Sequence, residues 1–243
     1  MKNILKGWST FEITWLVVFA SIILYTGIAF NDTWIGMTAS LTGVICVVLV
    51  SQGKISNYFF GVINTALYAY ISFKTGLFGE SMLNAFFYLP IQFIGFYLWS
   101  KNMNKDKLGV STVWVKKLDK MGWLYVVLTV VAVGISYGFF LDAIGSKQAG
   151  LDGFAVVLSI TAQLLMLKRY AEQWLLWIVV NVLTIALWLN VFMHDGNSVT
   201  ILVMWIAYLF NSVYGLIKWN KLAKKQEREI NESVYNQSNV LKG

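Results

Sequence analysis

Apolar runs of about twenty residues recur along almost the whole chain. A helix that crosses a bilayer needs about 20 consecutive, predominantly apolar residues, and eight runs approach that length. Only 13% of the 243 residues are charged, against about 25% in soluble domains. The sequence therefore predicts an all-α polytopic membrane protein with eight transmembrane helices, at 13–30, 34–51, 57–74, 81–99, 122–141, 151–168, 173–192 and 198–219.

The basic residues predict the orientation of these helices. With eight crossings, both chain ends and three of the seven connections between helices lie on one side of the membrane, and the other four connections lie on the opposite side. One side, which includes both ends, holds 17 of the 19 basic residues, and the other holds only Lys74 and Lys147. Because cytoplasmic loops are enriched in lysine and arginine, both termini are predicted to be cytoplasmic. The net charge of +7 then reflects topology, so no nucleic-acid partner is expected.

Matching landmarks in the two halves indicate an internal repeat. Asn64 precedes Asn181 by 117 residues, and three further pairs are spaced by 120 residues: Tyr88 with Tyr208, Gly95 with Gly215, and Trp99 with Trp219. A single helix between two three-helix units gives them the same orientation, and transporters with parallel repeats bind substrate near the midplane between them. The predicted architecture is a 3+1+3 bundle preceded by one extra helix. In chain order it consists of an N-terminal tail and extra helix (1–33), a first three-helix repeat (34–99), a basic cytoplasmic loop and linking helix (100–141), a second three-helix repeat (142–219) and a cytoplasmic tail (220–243).

Two tryptophans and an asparagine share one face of the seventh predicted helix, as Trp174-x-x-Trp177-x-x-x-Asn181. Positions i, i+3 and i+7 lie on the same helix face, and an amide in hydrocarbon is costly unless it finds a partner. Indole faces bind flat rings and cations, so this face predicts one wall of a substrate site. Two alternatives stay open: Trp174 as an interfacial belt residue, and Asn181 as a hydrogen bond between helices.

A fainter copy of the motif, Asn57-x-x-Phe60-x-x-x-Asn64, lies in the third predicted helix. It predicts an opposing wall of different composition, because Asn57 and Phe60 replace the tryptophans. Asn64 too has the alternative of a structural hydrogen bond between helices.

The other candidate substrate residues are polar or aromatic side chains of the membrane helices. Asn84, Tyr88 and Gln92 follow one another at intervals of four residues, beside Pro90, which is expected to kink the helix. Each candidate has packing or a hydrogen bond between helices as its alternative role. Together with Trp174, Trp177, Asn181 and Asn64, the candidates are Gln92, Tyr88, Tyr208, Asn211, Trp188 and Tyr68.

Residues typical of enzymes and ion-coupled carriers are missing from the predicted helices. Aspartate, glutamate, lysine and arginine do not occur away from helix ends, and Cys46 and His194 are the sole cysteine and histidine. Without paired carboxylates, a nucleophile–base pair or a phosphate-binding glycine loop, we expect no enzyme activity, no metal site and no cofactor. Because coupled carriers usually hold ionisable residues in the membrane, we expect a passive route, and we do not expect a phosphorylated substrate.

Over about residues 34–219 the chain resembles the PnuC-type nicotinamide riboside transporters. The resemblance lies in the 3+1+3 plan and in three helices, which carry W-x-x-W-x-x-x-N, Asn57-Tyr58…Asn64 after Gln52-Gly53-Lys54, and Tyr88…Gln92-x-x-Gly95-x-x-x-Trp99. It implies a SWEET-like vitamin B3 transporter of the bacterial inner membrane that moves nicotinamide riboside, an NAD precursor, by facilitated diffusion. It also implies trapping of that substrate by a cytoplasmic kinase. In the family, the tryptophan–asparagine motif contributes to the substrate site, which maps onto Trp174, Trp177 and Asn181.

The expected partners are the small-molecule substrate, membrane lipid and further copies of the chain in a homo-oligomer, a trimer. Sister branches of the family carry thiamine or riboflavin, so a thiamine or riboflavin transporter is the alternative within the class. Thiamine, which is also flat and cationic, suits indoles and amides almost as well as nicotinamide riboside does. The alternative of a different class is a non-transporting membrane receptor or structural bundle whose polar residues only join helices.

Overall fold

The computed structural model describes residues 7–75, 78–105, 111–143, 149–195 and 199–240. In this part of the chain there are eight helical segments and one short hairpin of strands. Seven of them are single α-helices: α1 (Thr10–Ala29), α2 (Trp34–Ser51), α3 (Asn57–Lys74), α6 (Lys120–Ala143), α7 (Ala149–Leu167), α8 (Gln173–Asp195) and α9 (Val199–Val240). The remaining segment, between α3 and α6, is continuous and consists of α4 (Phe78–Met82), a π-helical stretch (Leu83–Tyr88) and α5 (Leu89–Ser100). The strands are β1 (Met103–Lys105) and β2 (Ser111–Val113).

The eight helical segments follow the eight predicted spans in order, and six of them are long and apolar enough to cross a membrane. The two others are α3, which buries several polar side chains, and α7, where the described apolar part is the shorter helix Phe154–Leu167. The prediction of a helical, multi-pass membrane protein is therefore confirmed, while eight crossings stay a prediction. Lys147, which entered the predicted orientation, lies outside the described residues.

The first helix is joined to the last one through a buried carboxylate. Ser9 and Glu12 form a capping box at the start of α1, in which Ser9 N donates to Glu12 Oε2 (2.8 Å) and Glu12 N donates to Ser9 Oγ (3.2 Å). The same carboxylate forms an ion pair with Lys218 and accepts a hydrogen bond from the Tyr214 hydroxyl (3.0 Å), both on α9. Because Glu12 is fully buried, these partners compensate the cost of its desolvation.

Two tryptophans make matching hydrogen bonds between the two halves of the chain. Trp99 Nε1 on α5 donates to the carbonyl of Met166 on α7 (3.3 Å), and Trp219 Nε1 on α9 donates to the carbonyl of Val50 on α2 (3.0 Å). Both indoles are fully buried, and their ring centroids lie 5.9 Å apart. In each half, the last helix is thus bonded to the first helix of the other half, and the same helix pairs pack together.

In each half, an aromatic ring of one helix packs over a glycine of another helix, and we call the space over each glycine a glycine slot. Tyr58 on α3 lies over Gly95 and meets Trp99 edge-on at 5.3 Å between centroids, and Trp174 on α8 lies over Gly215 and meets Trp219 at 5.8 Å. These contacts agree with the predicted glycine and tryptophan pairs. They also show that Tyr58, rather than the predicted Asn57, takes the place that corresponds to Trp174.

The predicted loop 100–121 contains a hairpin, which corrects the all-helical expectation locally. β1 and β2 pair in antiparallel fashion, with Met103 opposite Val113. The end of β2 and the residues after it join the turns that end α2 and α7, since Val113 N donates to Gly53 O and Lys116 N donates to Arg169 O, both at 2.8 Å. Gly53 and Arg169 have nearly equal positive φ angles, 66° and 68°. We call residues 111–116 the strap, because they bond corresponding turns of both halves.

The strap is also held by α9, which extends well past the predicted end of its helix at residue 219. Gln226 Nε2 donates to the carbonyl of Val113 (3.1 Å), and Val115 N donates to Gln226 Oε1 (2.9 Å). Gln226 is 3% exposed, so one side chain satisfies two backbone groups in a buried position. The region predicted as a separate tail therefore begins as part of the packed structure.

Replacing Trp99 or Trp219 with phenylalanine should destabilise the fold by similar amounts. Each change removes an indole N–H that bonds the other half and reduces a fully buried ring, which costs about 1–3 kcal/mol. Thermal unfolding of the purified protein in detergent measures the effect. Trp34→Phe is the control, because Trp34 is 79% exposed. If Trp34→Phe lowered the stability as much as the other two changes, the stabilising role of the Trp99 and Trp219 hydrogen bonds would be contradicted.

Candidate functional site

A cavity of about 130 Å³ lies among α2, α3, the α4–α5 segment, α7, α8 and α9. Its lining combines aromatic and apolar side chains with a smaller number of polar groups, as is usual for small-molecule sites. Eight of the ten predicted substrate residues line it, and they are Trp174, Trp177, Asn181, Asn64, Gln92, Tyr88, Tyr208 and Tyr68. Their contact with a substrate stays a prediction, but the structure does bring them to one place.

One wall of the cavity is aromatic. Trp174 is 3% exposed and is held in its slot over Gly215 by Trp219. Trp177 lies one turn further along α8, and its ring centroid is 6.4 Å from that of Tyr88. Because Trp174 is packed deep between helices, its alternative role as a belt residue at the membrane surface does not fit this position.

The amides of the cavity are fixed by hydrogen bonds to other helices. Asn181 Nδ2 donates to Ser212 Oγ on α9 (2.8 Å). Asn64 Nδ2 donates to the carbonyl of Ala39 on α2 (2.9 Å), while Asn64 Oδ1 accepts a hydrogen bond from the Tyr208 hydroxyl (3.3 Å). Both amides therefore join helices and line the cavity at once, so the hydrogen bonds between helices are present and a binding role stays a prediction.

Three atoms of lining side chains are buried without a hydrogen-bond partner in the described part of the chain. They are the donors Trp174 Nε1 and Trp205 Nε1 and the acceptor Gln92 Oε1. Gln92 fits here because Gly61 faces it: a Cβ at position 61 would lie 2.9 Å from Gln92 Cδ. Since buried polar groups in proteins are nearly always paired, a bound molecule with both a donor and an acceptor would complete this part of the site.

A carboxylate lies at the end of the cavity nearest α4. Glu80 lines the cavity and accepts a hydrogen bond from the Tyr68 hydroxyl (3.4 Å), which itself accepts one from Trp188 Nε1 (2.7 Å). The prediction that the apolar spans hold no charged residue away from their ends still applies to 81–99, yet a carboxylate from just outside that span lines the cavity. The sequence reasoning missed Glu80 because it stands one residue before the predicted span 81–99, where a charge is usually placed in water.

Two predicted substrate residues do not line the cavity. Asn211 Nδ2 donates to the carbonyl of Val47 on α2 (2.8 Å), so its amide joins α9 to α2. Trp188 is fully buried and supports Tyr68 from behind. Of the fainter motif copy, only Asn64 reaches the cavity, since Asn57 Nδ2 donates to the carbonyl of Lys54.

Several lining residues were not predicted. Gln163 and Ser159 on α7 and Thr65 on α3 are polar side chains at membrane depth, the same signal that identified Asn64. Cys46 also lines the cavity. The described residues contain no group of three or more His, Cys, Asp or Glu side chains that could hold a metal ion.

A polytopic helical bundle around a cavity of aromatic, amide and carboxylate side chains is the architecture of a membrane transporter for small molecules. A family profile described as "Nicotinamide mononucleotide transporter" matches residues 33–221. The nicotinamide riboside transporter PnuC of Neisseria mucosa is 45% identical over 226 residues, 92% of this chain and 86% of that protein. PnuC of Haemophilus influenzae is 38% identical over 92% of this chain and 96% of that protein.

A solved structure, described as the crystal structure of the vitamin B3 transporter PnuC, superposes with a TM-score of 0.83 and 46% identity. The match covers 90% of this chain and 94% of that chain. The chain therefore belongs to the nicotinamide mononucleotide transporter family, and its resemblance to the PnuC-type transporters is confirmed. The family is one of transporters, in agreement with the prediction that the chain is not an enzyme.

Gly215→Ala should weaken ligand binding by displacing Trp174. An added Cβ would lie 2.7 Å from atoms of that indole, so the ring has to leave its slot. Calorimetric titration of the purified protein with nicotinamide riboside should show an affinity at least about fivefold lower, since a rigid aromatic contact is lost.

Gly95→Ala is the matched control for Gly215→Ala. It displaces Tyr58 from the corresponding slot, and Tyr58 does not line the cavity. Both variants should lower the thermal midpoint, but only Gly215→Ala should lower the affinity. Equal losses of affinity would contradict a specific role for Trp174.

Proposed function

We propose that this protein is a facilitative transporter that moves nicotinamide riboside across the membrane. The observation that carries the proposal is a cavity in which an indole wall, partly unpaired polar atoms and one carboxylate face the same space. Nicotinamide riboside offers a flat pyridinium ring for the indoles, a carboxamide and ribose hydroxyls for the amides, and a positive charge for the carboxylate. The names of the relatives from Neisseria mucosa and Haemophilus influenzae support the same substrate.

The riboside fits this cavity better than the mononucleotide of the family description. No lysine, arginine or histidine is among the described residues that line the cavity. A phosphate group is usually bound by such cations or by a helix N-terminus, and here it would meet the carboxylate of Glu80 instead. Phosphorylation by a cytoplasmic kinase would therefore convert a fitting substrate into one that does not return, which is the proposed trapping step.

Facilitated diffusion remains the proposed mechanism even with a carboxylate in the cavity. Ion coupling needs a site for the coupling ion besides that for the substrate, and Glu80 is the single acidic side chain among the described lining residues. When the substrate is itself a cation, it can serve as the counter-charge of this carboxylate. The transport cycle then has no need of a proton or a sodium ion.

The proposed topology has eight crossings, with one extra helix and a 3+1+3 bundle divided at the predicted boundaries 33, 99, 141 and 219. The 17 basic residues on one predicted side support cytoplasmic termini in a bacterial inner membrane. The paired Trp99 and Trp219 hydrogen bonds support two related halves. The apolar, largely exposed surface of α6 supports contact with lipid or with other copies of the chain, as in the expected trimer.

A thiamine transporter is the second candidate, because thiamine is also a flat cation and would satisfy Glu80 and the indoles equally. Riboflavin lacks the positive charge and is disfavoured by the same carboxylate. A purely structural bundle would need no buried polar atoms left for a ligand, whereas a non-transporting receptor would use the same cavity and differ only in the absence of uptake.

Trp177→Ala should weaken the binding of nicotinamide riboside at least about tenfold, because the variant loses one stacking surface of the cavity. Isothermal titration of the purified protein measures the affinity. Trp34→Ala, at a residue that is 79% exposed, should leave it unchanged. Unchanged affinity of Trp177→Ala would assign that indole to packing.

Proteoliposomes should equilibrate labelled nicotinamide riboside and exclude its 5′-phosphate, because the lining offers no cation for a phosphate. Uptake should persist after ionophores remove proton and sodium gradients. Parallel assays with thiamine and riboflavin distinguish the related carriers. Loss of equilibration without gradients would contradict the uniport mechanism, and absence of uptake of every compound would favour a receptor or a structural bundle.

A further inference from the structure

We propose that Glu80 is the residue that makes this cavity selective for a positively charged ligand. The inference rests on the proposed transport function and names the side chain that distinguishes a cationic nucleoside from a neutral one. Indoles, amides and hydroxyls, which form the rest of the polar lining, would accept a flat neutral ring as well as a charged one.

The position of Glu80 is determined by contacts on both sides of it. Ser81 Oγ donates to the carbonyl of Ala69 (2.8 Å), which holds α4 against α3. One residue away on α3, the Tyr68 hydroxyl donates to Glu80 Oε2 (3.4 Å). That hydrogen bond uses one carboxylate oxygen only, and within the described residues Oε1 makes no other hydrogen bond, so it is available to a ligand.

The hydroxyl of Tyr68 has a defined direction because of Trp188. Trp188 Nε1 donates to the tyrosine oxygen (2.7 Å), so the hydroxyl proton of Tyr68 is left to point at the carboxylate. Trp188 and Tyr68 are 0% and 2% exposed, so the hydrogen bond between these two side chains is shielded from water. A carboxylate supported in this way keeps its place whether or not a ligand is bound.

The charge of the cavity depends on this one group. The other titratable side chains among the described lining residues are Cys46, Tyr68, Tyr88 and Tyr208, whose ordinary pKa values are about 8.5 to 10. They are neutral at pH 7, and no basic side chain is among the described lining residues. A cationic ligand therefore neutralises Glu80, whereas a neutral ligand of the same shape leaves its desolvation uncompensated.

Two nucleosides of nearly equal shape test the proposal directly. Nicotinamide riboside is a cation, and its reduced form keeps the carboxamide and ribose on an uncharged dihydropyridine ring. Calorimetric titration of the purified wild-type protein, Glu80→Gln and Glu80→Asp with both compounds gives the preference for the charge. Glu229→Gln is the control for the change in net charge, because Glu229 lies on the α9 extension and does not line the cavity.

The wild type should prefer the cation. Glu80→Gln should bind the cation about tenfold or more weakly, since a charge pair in a partly desolvated site is lost, and should bind the neutral form within about threefold of wild type. Glu80→Asp should retain most of the preference, and Glu229→Gln should match wild type. A residual preference in Glu80→Gln is expected from the indoles.

Three outcomes would overturn the proposal. A wild type that binds both nucleosides equally would show that the cavity does not select charge, and this arm does not depend on any variant folding. An unchanged preference in Glu80→Gln would exclude Glu80 as its source. An equal loss of affinity for both nucleosides in Glu80→Gln would assign Glu80 a hydrogen-bonding role instead.

If the wild type bound neither nucleoside, the proposed function itself would fail. The titration distinguishes this result from the three outcomes above, because in each of those the wild type binds at least one nucleoside.

Discussion

The hydrogen bonds of Trp99 and Trp219 are the constraint on which the arrangement of the helices depends. Each indole N–H reaches a backbone carbonyl near the end of the first helix of the other half, at Met166 or Val50. Each of these carbonyls also accepts a backbone hydrogen bond from the turn that follows its helix, from Arg169 N at Met166 and from Gly53 N at Val50, both at 2.9 Å. The indole therefore uses the second acceptor position of the carbonyl and fixes the contact between the halves. The strap adds backbone bonds at the adjacent turns, and the cavity lies beyond this layer.

The two halves are similar in their framework and different in the cavity. The glycine slots at Gly95 and Gly215 are equivalent, yet they hold Tyr58 in one half and Trp174 in the other. Only Trp174 lines the cavity. The framework can therefore keep its paired contacts, which stabilise the fold, while the two halves place different side chains against the cavity.

The helices could be predicted from the apolar runs, and most of the cavity residues from the few polar side chains that interrupt those runs. Asn64, Asn181 and Gln92 stand out since amides at membrane depth need partners. Spacing alone did not distinguish Asn181, which lines the cavity, from Asn211, whose amide bonds Val47 O, because that depends on which helix lies opposite. Glu80 was missed because helix ends are where charges are ordinary, and its burial comes from the tertiary arrangement.

The π-helical stretch explains why one spacing argument worked better than an α-helix allows. Asn84, Tyr88 and Gln92 are four residues apart, and in an α-helix each interval of four turns the side chain by about 40°. Leu89 N bonds the carbonyl of Asn84, five residues earlier, and this wider turn reduces the rotation. All three side chains then reach the cavity. π-Bulges often lie at functional sites, and here the bulge aligns polar groups on the segment that begins with Glu80. The same segment thus supplies the carboxylate at one end of the cavity and the Gln92 amide further along it.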